Sequence, residues 1–312
     1  MVGGALAVPG ALAACGKDGE SPPQEPIGPT AAGQAGSLQE LVNERVRQGA
    51  KQGLSVFLAG GDFAVGISNY VGLGLVVQGA PIGNGAAQVW MAPTTDAKAA
   101  VTPLGPFPAP WLGYSKPQQN GPPGINAADL RFDKTGKWGM LVEVITPTAK
   151  LLGTTAIEVK PKPTNKAPGD KANPSQTPTV VDQRGVNPIC TRTPPCPFHQ
   201  ITLASALQSG KPVAFLMGTP RFCESRTCGP NLEELIAVSE DIGDRAAFIH
   251  VEVYKDDKDA PANEVVSPTF LEWKFTSEPW IYLIDRSGSI AHRYEGPVTA
   301  TRLRKDLSPL LG

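Results

Sequence analysis

The stretch PVAFLMGTPRFCESRTCGP, residues 212–230, is the most informative part of the sequence. Its first six residues are continuously apolar, as is typical of a β-strand that is buried on both faces. A loop with two cysteines follows, and after it apolar residues recur at helical spacing, at Leu232, Leu235, Ile236 and Ile242. The pattern predicts a buried strand, a cysteine-bearing loop and a helix.

The alternation of strand and helix patterns continues to residue 310. We predict a strand over 246–254, a helix over 268–275, strands over 280–285 and 289–294, and a helix over 298–310. Arg286-Ser287-Gly288 is a tight-turn signal, so the last two strands are predicted to form a hairpin. The resulting order, βα-βα-ββα, indicates an α/β domain.

This order resembles the thioredoxin fold over residues 202–310. Cys228-Gly229-Pro230 matches the first three residues of the thioredoxin Cys-Gly-Pro-Cys site, and Glu278-Pro279 matches the dipeptide whose proline is cis in that fold. The resemblance implies that Gly229, Pro230, Glu278 and Pro279 shape the substrate groove that faces the cysteines.

The sequence departs from that family at two positions. Asn231 stands where the second cysteine is expected, and Thr227 stands where a tryptophan is usual. The loop contains another cysteine, Cys223, which precedes Cys228 and forms a Cys-x4-Cys pair with it.

We interpret Cys228 as the attacking sulfur of a thiol–disulfide exchange site and Cys223 as the resolving sulfur. Cys228 is predicted at the N-terminus of a helix, where free N–H groups and the helix dipole lower the pKa of a thiol. Arg221 and Arg226 add positive charge, and Glu224 opposes it. The alternative is a structural disulfide in a domain without exchange activity.

Two further cysteines, Cys190 and Cys196, lie in a proline-stiffened loop. Sequence proximity favours the pairings 190–196 and 223–228 among the three that four cysteines allow. Because no base or helix start is beside Cys190 and Cys196, we interpret them as a structural disulfide.

No cofactor and no metal site are predicted. The three histidines are far apart in sequence, and no two of them form an i, i+4 spacing. A copper site of the kind found in Sco-type chaperones is a weaker alternative, because His250 falls within a predicted strand and is interpreted as a strand histidine.

Residues 54–160 have a different pattern, with short apolar runs broken by glycine and proline. Seven candidate strands indicate an antiparallel β-sandwich, over 54–58, 63–70, 74–77, 87–92, 129–132, 139–145 and 154–159. The Gly-x-Trp turn at 136–138, with GPFPA at 105–109, resembles the small Ig-like domains of extracytoplasmic bacterial proteins.

A capping box at Ser37 and Glu40 predicts a short helix over 37–51.

Five segments follow from these patterns. They are a signal segment at 1–15, a tether with the short helix at 16–53, the Ig-like sandwich at 54–160, a linker at 161–188 and the thioredoxin-like domain at 189–312. The linker carries six prolines among polar residues, so we expect it to make few contacts and the two domains to fold independently.

The N-terminus indicates a membrane anchor. Leu12-Ala13-Ala14-Cys15-Gly16 resembles a bacterial lipobox, and an apolar segment with no charge precedes it. The resemblance implies that Cys15 is lipidated and that the chain is held at the outer face of the bacterial cytoplasmic membrane. Two acyl chains give a stable anchor.

Two classes of function remain open at this stage. One is an extracytoplasmic, lipid-anchored thiol–disulfide oxidoreductase whose partners are protein thiols or disulfides. The other is a non-catalytic binding lipoprotein with structural disulfides. A net charge of −1 excludes the basic surface expected of a nucleic-acid binder.

Overall fold

The computed structural model describes residues 36–94, 101–116, 123–256, 258 and 265–312. The predicted signal segment and Cys15 lie outside these residues. In the described part of the chain, no helix combines the length and the apolar character that a membrane crossing requires.

Five helices and fifteen strands are present in the described residues. The helices are α1 Leu38–Arg47, α2 Leu203–Gln208, α3 Cys228–Ile242, α4 Pro268–Glu272 and α5 Ala300–Leu307. The strands are β1 Lys51–Gln52, β2 Leu54–Leu58, β3 Phe63–Ala64, β4 Asn69–Val77, β5 Ala80–Pro81, β6 Ala86–Pro93, β7 Leu104–Ala109, β8 Trp111–Gly113, β9 Gly124–Leu130, β10 Gly136–Ile145, β11 Lys150–Lys160, β12 Val213–Met217, β13 Ala247–Val251, β14 Trp280–Ile284 and β15 Ile290–Glu295.

Residues 51–160 form two sheets that pack face to face. One has the order β1-β11-β10-β6-β7, with β3 also on β11, and the other has the order β2-β4-β9-β8, with β5 also on β4. Alternate residues of the central strands point into one shared core, including Val71 and Leu73 of β4 and Met140 and Val142 of β10. This is the period-2 burial that the sequence predicts for a sandwich.

Helix α1 covers the outer face of the first sheet. The Ser37 hydroxyl caps it by accepting a hydrogen bond from the backbone N–H of Glu40 at 3.1 Å, as the capping box predicts. Leu41 and Val42 pack on Trp90 of β6, which is fully buried. The helix therefore shields an aromatic residue that points away from the core between the sheets.

Some strand boundaries differ from the prediction. The predicted strand over 63–70 is two strands, β3 and the start of β4, because Asn69 folds back and its side chain bonds to the N–H and C=O of Ala64. Strands β7 and β8 were not predicted, because prolines at 106, 108 and 110 interrupt the alternation of apolar and polar residues. A proline cannot donate to a sheet, but strands at sheet edges tolerate it.

Residues 213–307 contain one four-stranded sheet of order β13-β12-β14-β15. Strand β12 pairs in parallel with β13 and antiparallel with β14, and β15 is antiparallel to β14. Helices α3 and α5 pack on one face of the sheet, and α2 packs on the other together with Trp273 and Phe275. With helices on both faces, β12 and β14 are buried along their whole length. This is the thioredoxin-like order that the sequence indicates.

The segment 161–188 is not a free linker, in contrast to the expectation from its composition. It runs along the edge strand β15: Gly169 N–H donates to Ile290 O at 2.8 Å, and Ile290 N–H donates to Asp170 O at 2.8 Å. Ala172 N–H donates to Gly288 O at 3.0 Å. Because the segment packs through its backbone, its few apolar side chains were a poor guide to its contacts.

The sandwich and the thioredoxin-like domain share a buried interface. Asp62 and Arg293 form an ion pair of 2.8 Å, with both side chains about nine-tenths or more removed from solvent. Tyr70 of β4 stacks edge-on against Tyr294 of β15 and donates its hydroxyl proton to Pro297 O at 2.9 Å. The two halves are therefore in direct contact, and Asp62 pairs both with Lys160 of the sandwich at 3.1 Å and with Arg293 of the other half. Independent folding of the halves stays a prediction.

Asp62 is held as a carboxylate in this interface. Burial opposes its ionisation, but backbone N–H groups of Asn165 and Thr164 and the charge of Arg293 outweigh burial and lower its pKa from 3.8 to about 2. The unfolded chain binds the proton more readily, so the pair stabilises the fold above pH about 4, and this stabilisation is lost as the pH falls towards about 2.

We predict that Asp62→Asn lowers the free energy of unfolding by about 3–5 kcal/mol at pH 7, because it leaves the Arg293 charge buried and unpaired. The variant should also lose less stability than the wild type between pH 4 and pH 2. Urea unfolding followed by circular dichroism measures both effects.

The matched control is Asp129→Asn, which removes the carboxylate that Arg302 of α5 binds across the same interface. Asp129 is 44% exposed, so a loss of about 0–1 kcal/mol is expected there. Equal losses of unfolding free energy in the two variants would contradict the conclusion that the buried Asp62 carboxylate stabilises the interface more than the exposed Asp129 carboxylate does.

Candidate functional site

The two cysteines of the loop after β12 form a disulfide at the N-terminus of α3. Cys223 and Cys228 are joined, with their Cα atoms 5.9 Å apart. Helix α3 begins at Cys228, as predicted, and the backbone N–H of Cys228 donates to Cys223 Sγ at 3.2 Å. The first free N–H of the helix and the positive end of its dipole therefore act on the sulfur of Cys223.

The two sulfurs differ in accessibility, and this changes the roles expected from the sequence. Cys228 is fully buried, whereas Cys223 is partly exposed. Cys228 was expected to be the attacking sulfur because it lies at the helix start. The structure instead leaves the Cys223 sulfur partly exposed, with the backbone N–H of Cys228 donating to it. The position of Cys228 suits a resolving sulfur.

The predicted cis dipeptide lies next to this disulfide. The Glu278–Pro279 peptide bond is cis. Gly218, which follows β12, separates the cysteine from the proline: a Cβ on Gly218 would lie 3.4 Å from Cys228 Cβ and 3.5 Å from Pro279 Cβ. A Cβ at position 218 would therefore be in ordinary van der Waals contact with both residues, so this position lies directly between the two loops.

Glu278 brings a carboxyl group to the sulfurs. One of its oxygens lies within 4.8 Å of both Cys223 Sγ and Cys228 Sγ, and its Oε1 accepts a hydrogen bond from Glu224 N–H at 3.4 Å. Burial raises the pKa of Glu278 to about 7; repulsion by Glu224 and Glu252 adds to this, and the hydrogen bond opposes it. Near neutral pH, Glu278 can thus gain or lose a proton beside the disulfide.

Asn231 explains why α3 has no second cysteine one turn into the helix. It is fully buried, its Nδ2 donates to Gly296 O at 2.9 Å, and its Oδ1 accepts from Val298 N–H at 3.1 Å. A cysteine could not satisfy these two backbone groups. The two hydrogen bonds of Asn231 connect α3 to the loop between β15 and α5.

A groove of about 440 Å³ opens beside the disulfide, between the two domains. The sandwich contributes Phe57 and Ile125, and the thioredoxin-like domain contributes Ser225, Thr227 and Glu278. Phe57 is 59% exposed, so it adds an accessible apolar surface to the groove. The groove therefore combines apolar walls with access to the cysteine loop.

The groove residues predicted from the resemblance are placed differently. Glu278 lines the groove, whereas Pro279 is buried behind it. Gly229 and Pro230 lie within the first turn of α3. The contribution of Phe57 and Ile125 had no signal in the sequence, because it arises from the packing of the two domains.

Cys190 and Cys196 are free thiols in the structure, in contrast to the predicted structural disulfide. Both are buried and lie against two buried imidazoles, those of His199 and His250. The pKa of Cys190 is lowered by a hydrogen bond with Cys196 and by hydrogen bonds with the two imidazoles, and the pKa of Cys196 is raised by the same pairing.

Sequence reasoning missed this cluster because its members come from separate elements. His250 lies on β13, while Cys190, Cys196 and His199 belong to the loop that pairs with it: His250 N–H donates to Phe198 O at 3.3 Å. The spacing Cys196-x-x-His199 was present in the sequence as a possible signal. The pairing of that loop with β13 was not predictable.

Comparisons with known proteins give distant structural similarities. No protein-family model and no curated protein matches this chain. A thioredoxin-family thiol:disulfide interchange protein from Chlorobium tepidum TLS is 16% identical, with 36% of this chain and 88% of that chain covered and a TM-score of 0.29. A proposed thiol:disulfide interchange protein DsbE from Chlorobium tepidum is 16% identical, with 47% and 99% covered and a TM-score of 0.34.

A secreted thiol-disulfide isomerase from Corynebacterium glutamicum is 14% identical, with 36% of this chain and 75% of that chain covered and a TM-score of 0.28. Similarities at this distance do not assign an activity. The thioredoxin-like fold of the C-terminal domain rests on the strand order and helix placement described above.

We predict that Glu278→Gln shifts the pH profile of Cys223 alkylation in the reduced protein to lower pH, by about one unit. Above its pKa of about 7, Glu278 is an anion beside the sulfur and disfavours the thiolate. Glutamine keeps the shape but removes that charge. The measurement is the rate of iodoacetamide labelling of Cys223, followed by mass spectrometry from pH 5 to pH 9.

Glu224→Gln is the matched control, because Glu224 is in the same loop but is exposed. Water screens its charge, so its profile should move much less. A Glu278→Gln profile that coincides with the wild type would show that the carboxyl group does not act on the sulfur.

Proposed function

We propose that this protein exchanges disulfides with cysteine-containing proteins through Cys223 and Cys228. The observation that carries the proposal is the asymmetric disulfide. A partly exposed sulfur accepts the first N–H of a helix, and it is bonded to a fully buried sulfur beside a cis X-Pro peptide. Low-pKa, reactive cysteines are found at electropositive, partly exposed positions of this kind.

The exchange takes two steps. A substrate thiolate attacks Cys223 Sγ, a mixed disulfide forms, and Cys228 leaves as a thiolate. A second substrate thiolate then attacks the substrate sulfur of the mixed disulfide, and Cys223 leaves. The substrate dithiol has become a disulfide, and the Cys223–Cys228 disulfide has taken up two electrons and two protons as a dithiol. In the reverse direction, Cys223 attacks a substrate disulfide and Cys228 resolves the intermediate.

The site residues assist different parts of this exchange. The N-terminus of α3 stabilises the Cys223 thiolate, which improves it as a leaving group and raises the thiolate fraction available for attack. Glu278, with a pKa raised to about 7, can protonate the Cys228 thiolate as it leaves and accept that proton in the reverse direction.

The interdomain groove favours a protein substrate over a small thiol. Its volume of about 440 Å³ and the exposed ring of Phe57 suit apolar side chains next to the reacting cysteine of an extended segment. The sandwich would then supply one wall of the substrate site. An Ig-like identity for it is supported by the strand order β2-β4-β9-β8 opposite β11-β10-β6-β7, which corresponds to the A-B-E-D sheet and its partner in Ig domains.

The proposed location is the outer face of the bacterial cytoplasmic membrane. The support for it is the lipobox-like sequence that ends at Cys15 and the polar stretch 17–36 that follows it. Disulfide exchange is useful in such an oxidising compartment, where protein disulfides form and persist. Lipidation at Cys15 would hold the exchange site near newly exported chains.

We predict that Cys228→Ser accumulates a covalent mixed disulfide with partner proteins, whereas Cys223→Ser accumulates much less. The first variant keeps the accessible sulfur and loses the resolving one, and the second keeps only a buried sulfur. Non-reducing electrophoresis of each reduced variant after reaction with a disulfide-containing secreted protein measures the trapped complex, in which the remaining cysteine has attacked the substrate disulfide and released one substrate thiolate.

A second pair of variants separates groove binding from sulfur chemistry. Phe57→Ser should reduce trapping in the Cys228→Ser background without changing the reaction with glutathione disulfide, and Ile145→Ser, an exposed apolar residue elsewhere on the sandwich, should change neither. Absence of any trapped complex, together with a reduction potential below about −300 mV, would identify a structural disulfide instead.

The anchor is tested separately. We predict that Cys15→Ser, expressed with the complete natural signal, moves the protein from the membrane fraction to the soluble fraction, because both acyl chains depend on the thiol. Membrane partitioning equal to that of the wild type would refute the anchor and would leave the exchange proposal unaffected.

A further inference from the structure

We propose that Cys190, Cys196, His199 and His250 bind a zinc ion behind the cysteine loop. These residues play no part in the proposed exchange, and the inference does not depend on it. Their four ligand atoms lie within 4.8 Å of one another, and all four side chains are buried.

The distances match a tetrahedral site. With Zn–S bonds of about 2.3 Å and Zn–N bonds of about 2.0–2.1 Å, two ligand nitrogens lie about 3.3 Å apart and a nitrogen and a sulfur about 3.6 Å apart. Here His199 Nε2 and His250 Nδ1 are 3.3 Å apart. Cys196 Sγ is 3.2 Å from the first nitrogen and 3.4 Å from the second, and Cys190 Sγ is 3.8 Å from His250 Nδ1.

Hydrogen bonding within the cluster does not account for this convergence. His250 Nδ1 approaches three atoms, Cys190 Sγ, Cys196 Sγ and His199 Nε2, although a ring nitrogen has a single proton or a single lone pair. The other ring nitrogen, Nε2, is 3.0 Å from Gly218 O, a group that can only accept. In the neutral ring the proton is therefore on Nε2, and the Nδ1 lone pair points to the centre of the cluster.

The surroundings of the cluster are those of a metal site. The ring of His250 is oriented through Nε2 by a backbone carbonyl, and the Glu252 carboxylate lies 4.0 Å from the same nitrogen. Partners of this kind fix the tautomer and the direction of metal-binding histidines. Cys196 N–H points at Cys190 Sγ at 3.4 Å, a contact that stabilises a thiolate.

The donor set selects zinc. Two thiolates and two imidazoles in a tetrahedron are a site for Zn²⁺, which has no redox chemistry and closes all four positions in structural sites. On binding, each thiol gives up its proton, and the two negative sulfurs neutralise the divalent charge. A neutral complex can be buried at much lower cost than isolated charges.

The site would fix the base of the exchange loop. His250 is bonded to Gly218, which precedes that loop, and Thr191, next to Cys190, accepts a hydrogen bond from Arg221 N–H at 3.1 Å. Zinc would thereby link the loop 190–199, strand β13 and the approach to Cys223. Its role is structural, and the Cys223–Cys228 sulfurs are not ligands.

The experiment measures metal in the full chain, purified without chelators. We expect about one zinc per chain by mass spectrometry. After the metal is stripped under reducing conditions, added Co²⁺ should give the intense visible absorption of a tetrahedral thiolate site. His199→Gln should reduce zinc content and this absorption at least about tenfold, while His292→Gln, a histidine of β15 outside the cluster, should leave both unchanged.

A double variant, Cys223→Ser with Cys228→Ser, keeps the two proposals distinguishable. It should lose all exchange activity and retain its full zinc content. If His199→Gln does not fold, competition between the wild-type chain and a chelator for Co²⁺ gives the same information.

Three results would overturn the zinc site. They are a wild-type chain that holds no zinc and gives no cobalt absorption after reduction, a Cys190–Cys196 disulfide found by peptide mapping of the native protein, and retention of copper instead of zinc.

Discussion

Arg293 lies on the edge strand β15 with its guanidinium group removed from water, and a buried charge of this kind requires a fixed counter-charge. Asp62 supplies it from the sandwich, and the segment 161–188 supplies the backbone N–H groups that hold Asp62 in place. Three parts of the chain that are distant in sequence therefore meet at one carboxylate. The same interface places Phe57 and Ile125 in one groove with Ser225 and Thr227 of the cysteine loop.

The two cysteine pairs of the thioredoxin-like domain have different environments and different chemistry. Cys223 and Cys228 lie at a helix N-terminus and are joined, with one sulfur within reach of solvent. Cys190 and Cys196 are enclosed with two imidazoles and are not joined. A helix N-terminus stabilises a thiolate that can react, whereas enclosure with nitrogen donors suits a thiolate that remains bound.

The sequence allowed local features of the fold to be predicted because their causes are local. The start of α3 at Cys228 and the continuous burial of β12 follow from residues that are adjacent in the chain. The cis peptide at Pro279 was expected from the resemblance to the thioredoxin fold. Contacts between distant segments were not predictable in the same way.

The segment 161–188 has few apolar residues, so nothing in its composition signals that it packs through backbone hydrogen bonds.

The candidate site was also predicted only in part. The pair Cys223–Cys228 was identified, but the roles of the two sulfurs depend on burial, which one sequence does not give. His250 was interpreted as an ordinary strand residue because its partners lie on a loop whose pairing with β13 is a tertiary contact.

Ser225 and Thr227 lie between the two cysteines and also line the groove. In the proposed exchange, the bond that opens also constrains one wall of the groove, so partner binding and redox state would be thermodynamically linked. A partner that binds the oxidised form more tightly than the reduced form makes the disulfide harder to reduce by the same factor. Release of the product is then favoured by the electron transfer itself, without any separate conformational signal.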